Sequence, residues 1–238
     1  MRRALVTGGS SPIGAAVAEA LAADGAYVLV HANSNRMAAD ATVERIVAQG
    51  GRAEALVLDL LAPEARETLS AMAGEEAIQI LVHAVGGQRD MPFAAMEAED
   101  WTAVIDLNLN TIFAALRPLI LPMMRSRWGR VIAISSLTAV TGNRGQTNYA
   151  AAKGGLLALM KSLSREYGAR GITANVVAPG LIDTPETRSL ANFQDLERLS
   201  PTGRAGRPEE VAALVAFLAS DKAGYLSGQL IALDGGSS

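Results

Sequence analysis

Short apolar runs alternate along this chain with longer segments of helical periodicity. After the first run, Ile13, Val17 and Leu21 recur on one face, which predicts an amphipathic helix. Because the runs are apolar throughout rather than alternating, they are typical of parallel strands that are buried on both faces. We predict about seven such strands, with cores at residues 4–6, 26–30, 55–58, 78–82, 131–135, 173–177 and 229–233.

The segments between these runs predict helices. They cover residues 36–49, the region around 106–125, the segment after Asn148 and one that starts near Pro208. This alternation predicts an α/β fold, a doubly wound Rossmann-type three-layer sandwich with helices on both faces of a parallel sheet. We expect one domain over residues 1–238, because no linker rich in Pro, Gly or Ser divides the chain.

One long segment, at 183–206, has no clear periodicity and contains Pro185, Pro201 and Gly203. Loops of this length in compact domains often cover a binding site, so we predict that the segment is a substrate lid. An ordinary surface excursion is the alternative.

The composition narrows the class of partner. A formal net charge of -3 argues against a nucleic-acid-binding protein. The absence of Cys and the presence of only 2 His argue against a metal site, so we expect none. No run approaches the ~20 apolar residues of a membrane span, and the N-terminal apolar run is too short for a signal peptide. We therefore expect a cytoplasmic protein that acts on a small molecule.

A glycine-containing turn, TGGSSPIG at residues 7–14, lies between the first strand and the first helix. In a doubly wound fold this position binds the pyrophosphate of a nucleotide at the helix N-terminus. A plain strand-to-helix turn is the alternative, because small residues favour turns whatever they bind. The candidate cofactor-binding residues here are Gly8, Ser10, Ser11, Pro12 and Ile13.

A Ser, a Tyr and a Lys form a candidate catalytic set. Lys153 follows Tyr149 by four positions, so in a helix the two side chains share a face, and Ser136 lies thirteen positions before Tyr149. A free Tyr titrates near pH ~10, and a neighbouring ammonium favours its phenolate, so we expect Lys153 to lower the pKa of Tyr149. Taken alone, the Tyr-Lys spacing also fits a solvated helical face.

Further motifs accompany this set. They are Asn108 followed by Leu109, the run Asn-Val-Val-Ala-Pro-Gly at 175–180, Ile182 with Thr184, and the C-terminal segment 228–236. With them the chain resembles a classical short-chain dehydrogenase/reductase, and within that family the bacterial 3-oxoacyl-acyl-carrier-protein reductases. The resemblance covers residues 7–236.

The resemblance implies an NADPH-dependent reduction of a 3-oxoacyl thioester by hydride transfer. By analogy, Ser136 hydrogen-bonds the substrate oxygen and Tyr149 protonates it. Lys153 also holds the nicotinamide ribose, and Asn108 keeps a water that links Lys153 to bulk solvent. The alternatives are a strand-end cap for Ser136 and a backbone-bonded amide for Asn108.

The end of the second strand indicates the form of the cofactor. An acidic residue there would bind the ribose 2′-OH and repel a 2′-phosphate, but this chain has His-Ala-Asn-Ser-Asn-Arg at 31–36. Arg36 fits a phosphate contact or a solvated first turn equally well, so the missing acid carries the prediction of NADPH and NADP+. By resemblance Asp59 meets the adenine, with a helix cap as the alternative. The other contacts expected at the carboxyl ends of the strands are Asn33, Ser34, Asn35, Leu60, Ala84, Gly86, Tyr149, Lys153, Pro179, Gly180, Ile182 and Thr184.

Two positions depart from the family pattern. Pro12 stands where the family's glycine motif has Gly; Pro is tolerated in a first helical turn, but it removes one backbone donor. At the end of the fourth strand, His-Ala-Val-Gly at 83–86 replaces Asn-Asn-Ala-Gly. Either a ring nitrogen of His83 joins the central strands as the Asn does, or the local network differs; we expect a structural histidine.

Arg127 and Arg170 stand where the resemblance implies basic residues that dock an acidic acyl carrier protein. Complementing a helix dipole is the alternative for both. The same analogy implies a homotetramer, or a dimer. Two other functions stay open: a short-chain dehydrogenase/reductase for a sugar, polyol, steroid or xenobiotic carbonyl, and a catalytically silent nucleotide-binding regulator.

Overall fold

Seven parallel strands form one sheet through the centre of the molecule, and the computed structural model describes residues 1–238. The strands are β1 (Arg3–Thr7), β2 (Tyr27–Ala32), β3 (Arg52–Val57), β4 (Ile78–His83), β5 (Gly129–Ile134), β6 (Ile172–Pro179) and β7 (Leu230–Leu233). Their order is β3-β2-β1-β4-β5-β6-β7, and every neighbouring pair is parallel. The predicted doubly wound α/β fold is confirmed, and each predicted strand overlaps an observed one.

Helices cover both faces of the sheet. They are α1 (Pro12–Ala23), α2 (Arg36–Ala48), α3 (Ala65–Glu75), α4 (Ala98–Ile105), α5 (Thr111–Leu116), α6 (Ile120–Ser126), α7 (Thr138–Thr141), α8 (Thr147–Tyr167), α9 (Pro185–Arg188), α10 (Phe193–Leu199) and α11 (Pro208–Ala219). Because strand order reverses between β1 and β4, the loops after these two strands diverge and leave a crevice at the carboxyl edge of the sheet.

Two hydrophobic cores lie on opposite faces of the sheet, and β1 contributes to both. Ala4 and Val6 pack into the core beneath α1 and α11, whereas Leu5 packs into the core beneath α5 and α8. This division follows from the strand geometry, because successive side chains point to opposite faces. Burial on both faces explains why the strands read as unbroken apolar runs.

The prediction of one long helix around 106–125 is wrong. Helix α4 begins earlier, a π-helical turn follows at Asp106–Asn110, and α5 ends at Leu116. Pro118 explains the break, because proline lacks an N–H donor and its ring clashes with the carbonyl group one helical turn before it. No single helix is long and apolar enough to cross a membrane; only the bent pair Ala98–Leu116 and Ile120–Ser126, at 44°, meets the length and composition requirement together.

Two further boundaries differ from prediction. Strand β3 begins at Arg52 rather than at residue 55, because it pairs only with β2 at the sheet edge and leaves Arg52 and Glu54 in solvent. The segment 183–206 is not wholly irregular, since it contains α9 and α10. Thr184 starts α9 with a capping box, and Pro185 occupies its first position, where a missing N–H costs nothing.

Candidate active site

The glycine turn folds tightly against the start of α1. Gly8 has φ 69°, in the left-handed region, and a Cβ at Gly14 would lie 2.1 Å from the carbonyl oxygen of Gly8. Ser11 caps the helix, since its hydroxyl donates to the Gly8 carbonyl at 2.8 Å and accepts from the Gly14 N–H at 3.2 Å. Pro12 is the first residue of α1, as the sequence predicted.

This turn fits an anionic group. The backbone N–H groups of Ser10 and Ile13 have no hydrogen-bond partner within the chain. They lie at the N-terminus of α1, where unpaired donors and the helix dipole both favour negative charge. Although Pro12 removes one donor, the neighbouring amides leave a cradle for a pyrophosphate.

His83 joins the two central strands, as expected for a structural histidine. It is fully buried, and its Nδ1 lies 2.9 Å from the Thr7 hydroxyl on β1. Its Nε2 lies 3.4 Å from the hydroxyl of Thr111, at the start of α5. Burial lowers the pKa of His83 to about 3, with smaller contributions from Lys153 and His31, so the ring is neutral at pH 7.

The residues after β2 are exposed, and two of them have local partners. The Asn35 side chain caps α2 by accepting from the Ala38 N–H at 3.1 Å. Arg36 pairs with Asp40 at 3.2 Å and keeps 67% of its side chain in solvent. Arg36 thus lies exposed in the first turn of α2, and its predicted phosphate contact stays a prediction. Asn33 and Ser34 are exposed beside it.

After β3, Asp59 is exposed and Leu60 is buried in the second core. The Asp59 carboxylate accepts from the Leu61 N–H at 3.0 Å. Because α3 begins only at Ala65, this contact is a local turn and not the predicted alternative of a helix cap. The adenine contact of Asp59 stays a prediction.

Ser136 and Tyr149 come together at the carboxyl edge of the sheet. Ser136 follows the end of β5, and Tyr149 lies in the first turn of α8. Both residues line the same cleft. Burial raises the pKa of Tyr149, the nearby Ser136 hydroxyl opposes that rise, and the charge of Asp90 adds to it.

Lys153 lies one helical turn after Tyr149, as the spacing predicted, but its ammonium is engaged elsewhere. Its Nζ donates to the carbonyls of Val85 at 3.2 Å and Ile134 at 3.0 Å, and lies 5.7 Å from the centre of the Tyr149 ring. Burial lowers the pKa of Lys153 to about 8. In the protein alone the pKa of Tyr149 is raised, with burial of the phenol as the largest cause. The predicted lowering of this pKa by Lys153 stays a prediction for the enzyme with its cofactor bound.

Asn108 lies in the π-helical turn and is fully buried. Its Nδ2 donates to the carbonyls of Val104 and Gly87, each at 2.8 Å. A Cβ at Gly86 would lie 3.1 Å from Lys153 Nζ and 3.2 Å from Asn108 Oδ1, so these polar groups converge on Gly86. The backbone-bonded amide is thus present, while the water link to Lys153 stays a prediction.

Ser136 and Tyr149 open into a cleft of about 880 Å³. Pro179 and Gly180, at the end of β6, form part of its wall, while the C-terminal segment 233–237 forms another part. The segment 183–206 contributes several apolar residues, including Leu190, Leu196 and Leu199. A cleft of this size accommodates a ligand that combines a polar reacting group with an apolar chain.

Ile182 and Thr184 lie at the base of this segment and have structural contacts. Ile182 is buried and pairs with Gly206, which closes the segment at its two ends. The Thr184 hydroxyl accepts from the Thr187 N–H at 3.3 Å and so serves as the cap of α9. Their predicted cofactor contacts remain predictions.

A buried amide beside Tyr149 was missed by the sequence reasoning. Gln146 is 7% exposed, and its Nε2 donates to Asp90 Oδ2 at 2.7 Å and to Gln88 at 3.1 Å. Its Oε1 accepts from Thr138 at 3.2 Å and from Asn143 at 3.0 Å. The only signal in the sequence was a Gln three positions before Tyr149, which no periodicity distinguishes from a solvated residue.

His31 was also missed as an individual contact. It is 2% exposed and bridges the Gly8 N–H, at 3.2 Å, and the Leu58 carbonyl, at 2.7 Å. It therefore links the glycine turn to the end of β3. The available signal was a polar residue within an apolar strand, and the partners come from two other segments of the chain.

Arg127 and Arg170 are exposed and near each other, since Arg127 donates to the carbonyl of Ala169 at 3.3 Å. They lie at the amino ends of β5 and β6. Tyr149 and its cleft lie at the carboxyl ends of the same strands. Within one chain, the two arginines are therefore on the edge of the sheet opposite to the cleft.

Comparison with known proteins gives consistent matches over nearly the whole chain. A family model described as Enoyl-(Acyl carrier protein) reductase matches residues 8–238. The chain is 43% identical over 239 residues to the 3-oxoacyl-[acyl-carrier-protein] reductase FabG of Escherichia coli K12, covering 98% of this chain and 96% of that protein. It is 42% identical over 236 residues to the 3-oxoacyl-[acyl-carrier-protein] reductase of Synechocystis, covering 98% and 95%. It is 38% identical over 243 residues to FabG of Chlamydia trachomatis, covering 99% and 96%.

Proposed function

Because the chain belongs to the short-chain dehydrogenase/reductase family, we propose that it reduces the 3-oxo group of an acyl thioester carried on an acyl carrier protein, with NADPH as the reductant. The observation that carries this proposal is that Ser136 and Tyr149 line the wall of one large cleft, where the Ser136 hydroxyl acts to lower the pKa of Tyr149. The 43% identity with a named 3-oxoacyl-[acyl-carrier-protein] reductase supports the same reaction.

The reaction adds a hydride and a proton across the C=O bond. NADPH, when bound, supplies the hydride to the carbonyl carbon. Ser136 donates a hydrogen bond to the carbonyl oxygen, which takes up negative charge as the carbon is reduced. Tyr149 gives its phenolic proton to that oxygen, so that the product is a 3-hydroxyacyl thioester.

The environment of Tyr149 suits a proton donor. Its raised pKa keeps the phenol protonated at neutral pH, before the reaction. The buried Lys153 ammonium, 5.7 Å from the ring centre, stabilises the phenolate that remains after the proton has left. Asn108, next to Lys153 across Gly86, is the residue we assign to the proton supply from solvent.

Different groups of the chain would bind different parts of the cofactor. The turn formed by Gly8, Ser10, Ser11, Pro12 and Ile13 would hold the pyrophosphate. Asn33 and Ser34 would meet the 2′-phosphate, and Asp59 with Leu60 the adenine; the missing acid after β2 favours NADPH over NADH. The residues we assign to the nicotinamide half are Ala84, Gly86, Tyr149, Lys153, Pro179, Gly180, Ile182 and Thr184.

The direct test is loss of NADPH absorbance with an acetoacetyl thioester of acyl carrier protein. We expect turnover with NADPH and much slower turnover with NADH at equal concentration. The family model carries the name of an enoyl reductase, so a crotonyl thioester is the matched control. Turnover of the crotonyl substrate alone would assign the enoyl reaction instead, and absence of turnover with both would favour another carbonyl substrate or a silent nucleotide-binding regulator.

We further propose that the carrier docks at Arg127 and Arg170, in a cytoplasmic homotetramer or dimer. Strand β5 has 6 residues and separates these arginines from the Tyr149 cleft by about 20 Å, at ~3.3 Å per residue. The acyl group of a carrier bound at these arginines must therefore either span that distance to the cleft of the same chain or enter the cleft of a second copy of the chain. Charge reversal of Arg127 and Arg170 to Glu should raise KM for the carrier-bound substrate but not for a small free thioester. Arg125→Glu, in α6 two residues before Arg127, is the control.

A further inference from the structure

His31 lies near the end of β2, and both of its ring nitrogens are engaged. Its Nε2 lies 2.7 Å from the carbonyl oxygen of Leu58. A carbonyl only accepts hydrogen bonds, so Nε2 carries the proton. Nδ1 is then the acceptor for the Gly8 N–H, at 3.2 Å. With 2% of its surface exposed, the ring is fixed in one tautomer and one orientation.

The two segments that His31 connects have no direct bond to each other. The β1–β2 ladder ends at Val6 and Val30, before the glycine turn begins. The β2–β3 ladder ends at Ala32 and Val57, followed by one bond from the Leu58 N–H to the Ala32 carbonyl. Beyond these ladders, the His31 side chain is the link between the turn at Gly8 and the segment 58–60.

These two segments hold different parts of the cofactor in the function proposed above, on which this inference rests. We propose that His31 is a positioning residue that sets the separation between the pyrophosphate site at the glycine turn and the adenine site at 58–60. A dinucleotide must occupy both sites at once, so its affinity depends on their separation. A ligand that occupies only the adenine side does not depend on it.

Protonation of His31 would disrupt this link. A proton on Nδ1 removes the acceptor and sets an N–H against the N–H of Gly8. Burial lowers the pKa of His31 from 6.5, while the Leu58 carbonyl and the charge of Asp59 act in the opposite direction. The other titratable neighbour is His83, whose ring is neutral at pH 7 because burial lowers its pKa to about 3. The link from Gly8 through His31 to Leu58 is therefore intact at pH 7 and is lost as the pH falls below the lowered pKa of His31.

The test compares two variants of the full chain. His31→Gln keeps one acceptor and one donor, whereas His31→Phe keeps the ring volume and removes both. We expect the Kd of NADP+ to rise about tenfold in His31→Phe and by no more than about threefold in His31→Gln. The Kd of adenosine 2′-monophosphate, which lacks the pyrophosphate, should change less than about twofold in both. At saturating NADPH, kcat should stay near that of the wild type.

Equal affinity of wild type and His31→Phe for NADP+, or an equal loss for NADP+ and adenosine 2′-monophosphate, would overturn the inference. If His31→Phe does not fold, His31→Ala takes its place in the same comparison, because alanine also removes both the donor and the acceptor of the link. A loss of affinity for NADP+ that exceeds the loss for adenosine 2′-monophosphate supports the proposal, and equal losses overturn it. Failure of the wild type to bind NADP+ at pH 7 would instead refute the proposed function.

The tautomer of His31 provides an independent test of the proposal. The chain has only 2 His, so one variant assigns both sets of imidazole nitrogen NMR signals. A neutral His31 ring at pH 7 with the proton on Nε2 is the expected result, and a proton on Nδ1 would contradict the bridge to Gly8.

Discussion

Replacing Lys153 by Met should change how the stability of the free protein depends on pH. Lys153 is 3% exposed, and burial lowers its pKa to about 8, from 10.5. In the unfolded chain the side chain returns to the higher value. Between these two pH values the unfolded state binds more protons than the folded state, so the free energy of unfolding rises with pH. Lys153→Met removes this contribution and keeps a flexible side chain of similar length.

The size of the effect follows from the two pKa values. Each unit of difference corresponds to about 1.36 kcal/mol. Integrating from pH 7 to pH 10 gives a gain of roughly 2.5 kcal/mol for the wild type relative to Lys153→Met. Most of this gain should occur above pH 8, because Lys153 is protonated in both states below it.

Urea unfolding of both proteins at pH 7, 8, 9 and 10, without cofactor, measures this difference. Tyrosines other than Tyr149 ionise alike in both proteins and cancel in the comparison. The raised pKa of Tyr149 keeps its phenol protonated in the folded state over most of this pH range. A stability difference that stays constant within error from pH 7 to pH 10 would refute the claim that burial without a counter-ion lowers the pKa of Lys153. A difference of the opposite sign would mean that Lys153 is stabilised as a cation in the fold.

Two other substitutions test the packing around the site. Gly14→Ala should weaken NADP+ binding at least tenfold and lower the melting temperature, because its Cβ would lie 2.1 Å from the Gly8 carbonyl oxygen. Gly74→Ala in α3, where a Cβ meets nothing within 4 Å, is the control and should add about 0.5–1 kcal/mol of stability. Gln146→Leu should cost about 1–3 kcal/mol and lower kcat/KM for the thioester, because it leaves the part-buried Thr138 hydroxyl and Asn143 amide without their acceptor; unchanged stability and kinetics would show that solvent replaces Gln146 there.

The strand pattern was predictable because both faces of the sheet are buried. Leu5 and Val6 point into different cores, so the strand needs apolar residues at both positions. The edge strand β3 was less predictable, since it exposes alternate residues such as Arg52 and Glu54. The helix break at Pro118 follows from the missing N–H and the ring of proline, a local effect that the apolar periodicity around it obscured.

The placement of Tyr149 and Lys153 one turn apart on the same helix was predictable from their spacing, whereas their catalytic roles come from the resemblance to the family. The direction in which the pKa of Tyr149 is shifted was not predictable, since it depends on burial and on Asp90, which lies in another segment. The contacts of His31 and Gln146 likewise join segments far apart in sequence. A single sequence records which polar groups exist but not which of them share a buried site.

The central claim is that Tyr149 protonates a 3-oxo group during reduction by NADPH. The most direct measurement is the rate of NADPH consumption with acetoacetyl-acyl carrier protein by Tyr149→Phe, beside its Kd for NADP+. The account predicts a loss of turnover of about 10²–10⁴-fold with the Kd within about threefold of wild type, since the phenolic hydroxyl acts on the substrate. Turnover like that of the wild type in this variant would contradict it.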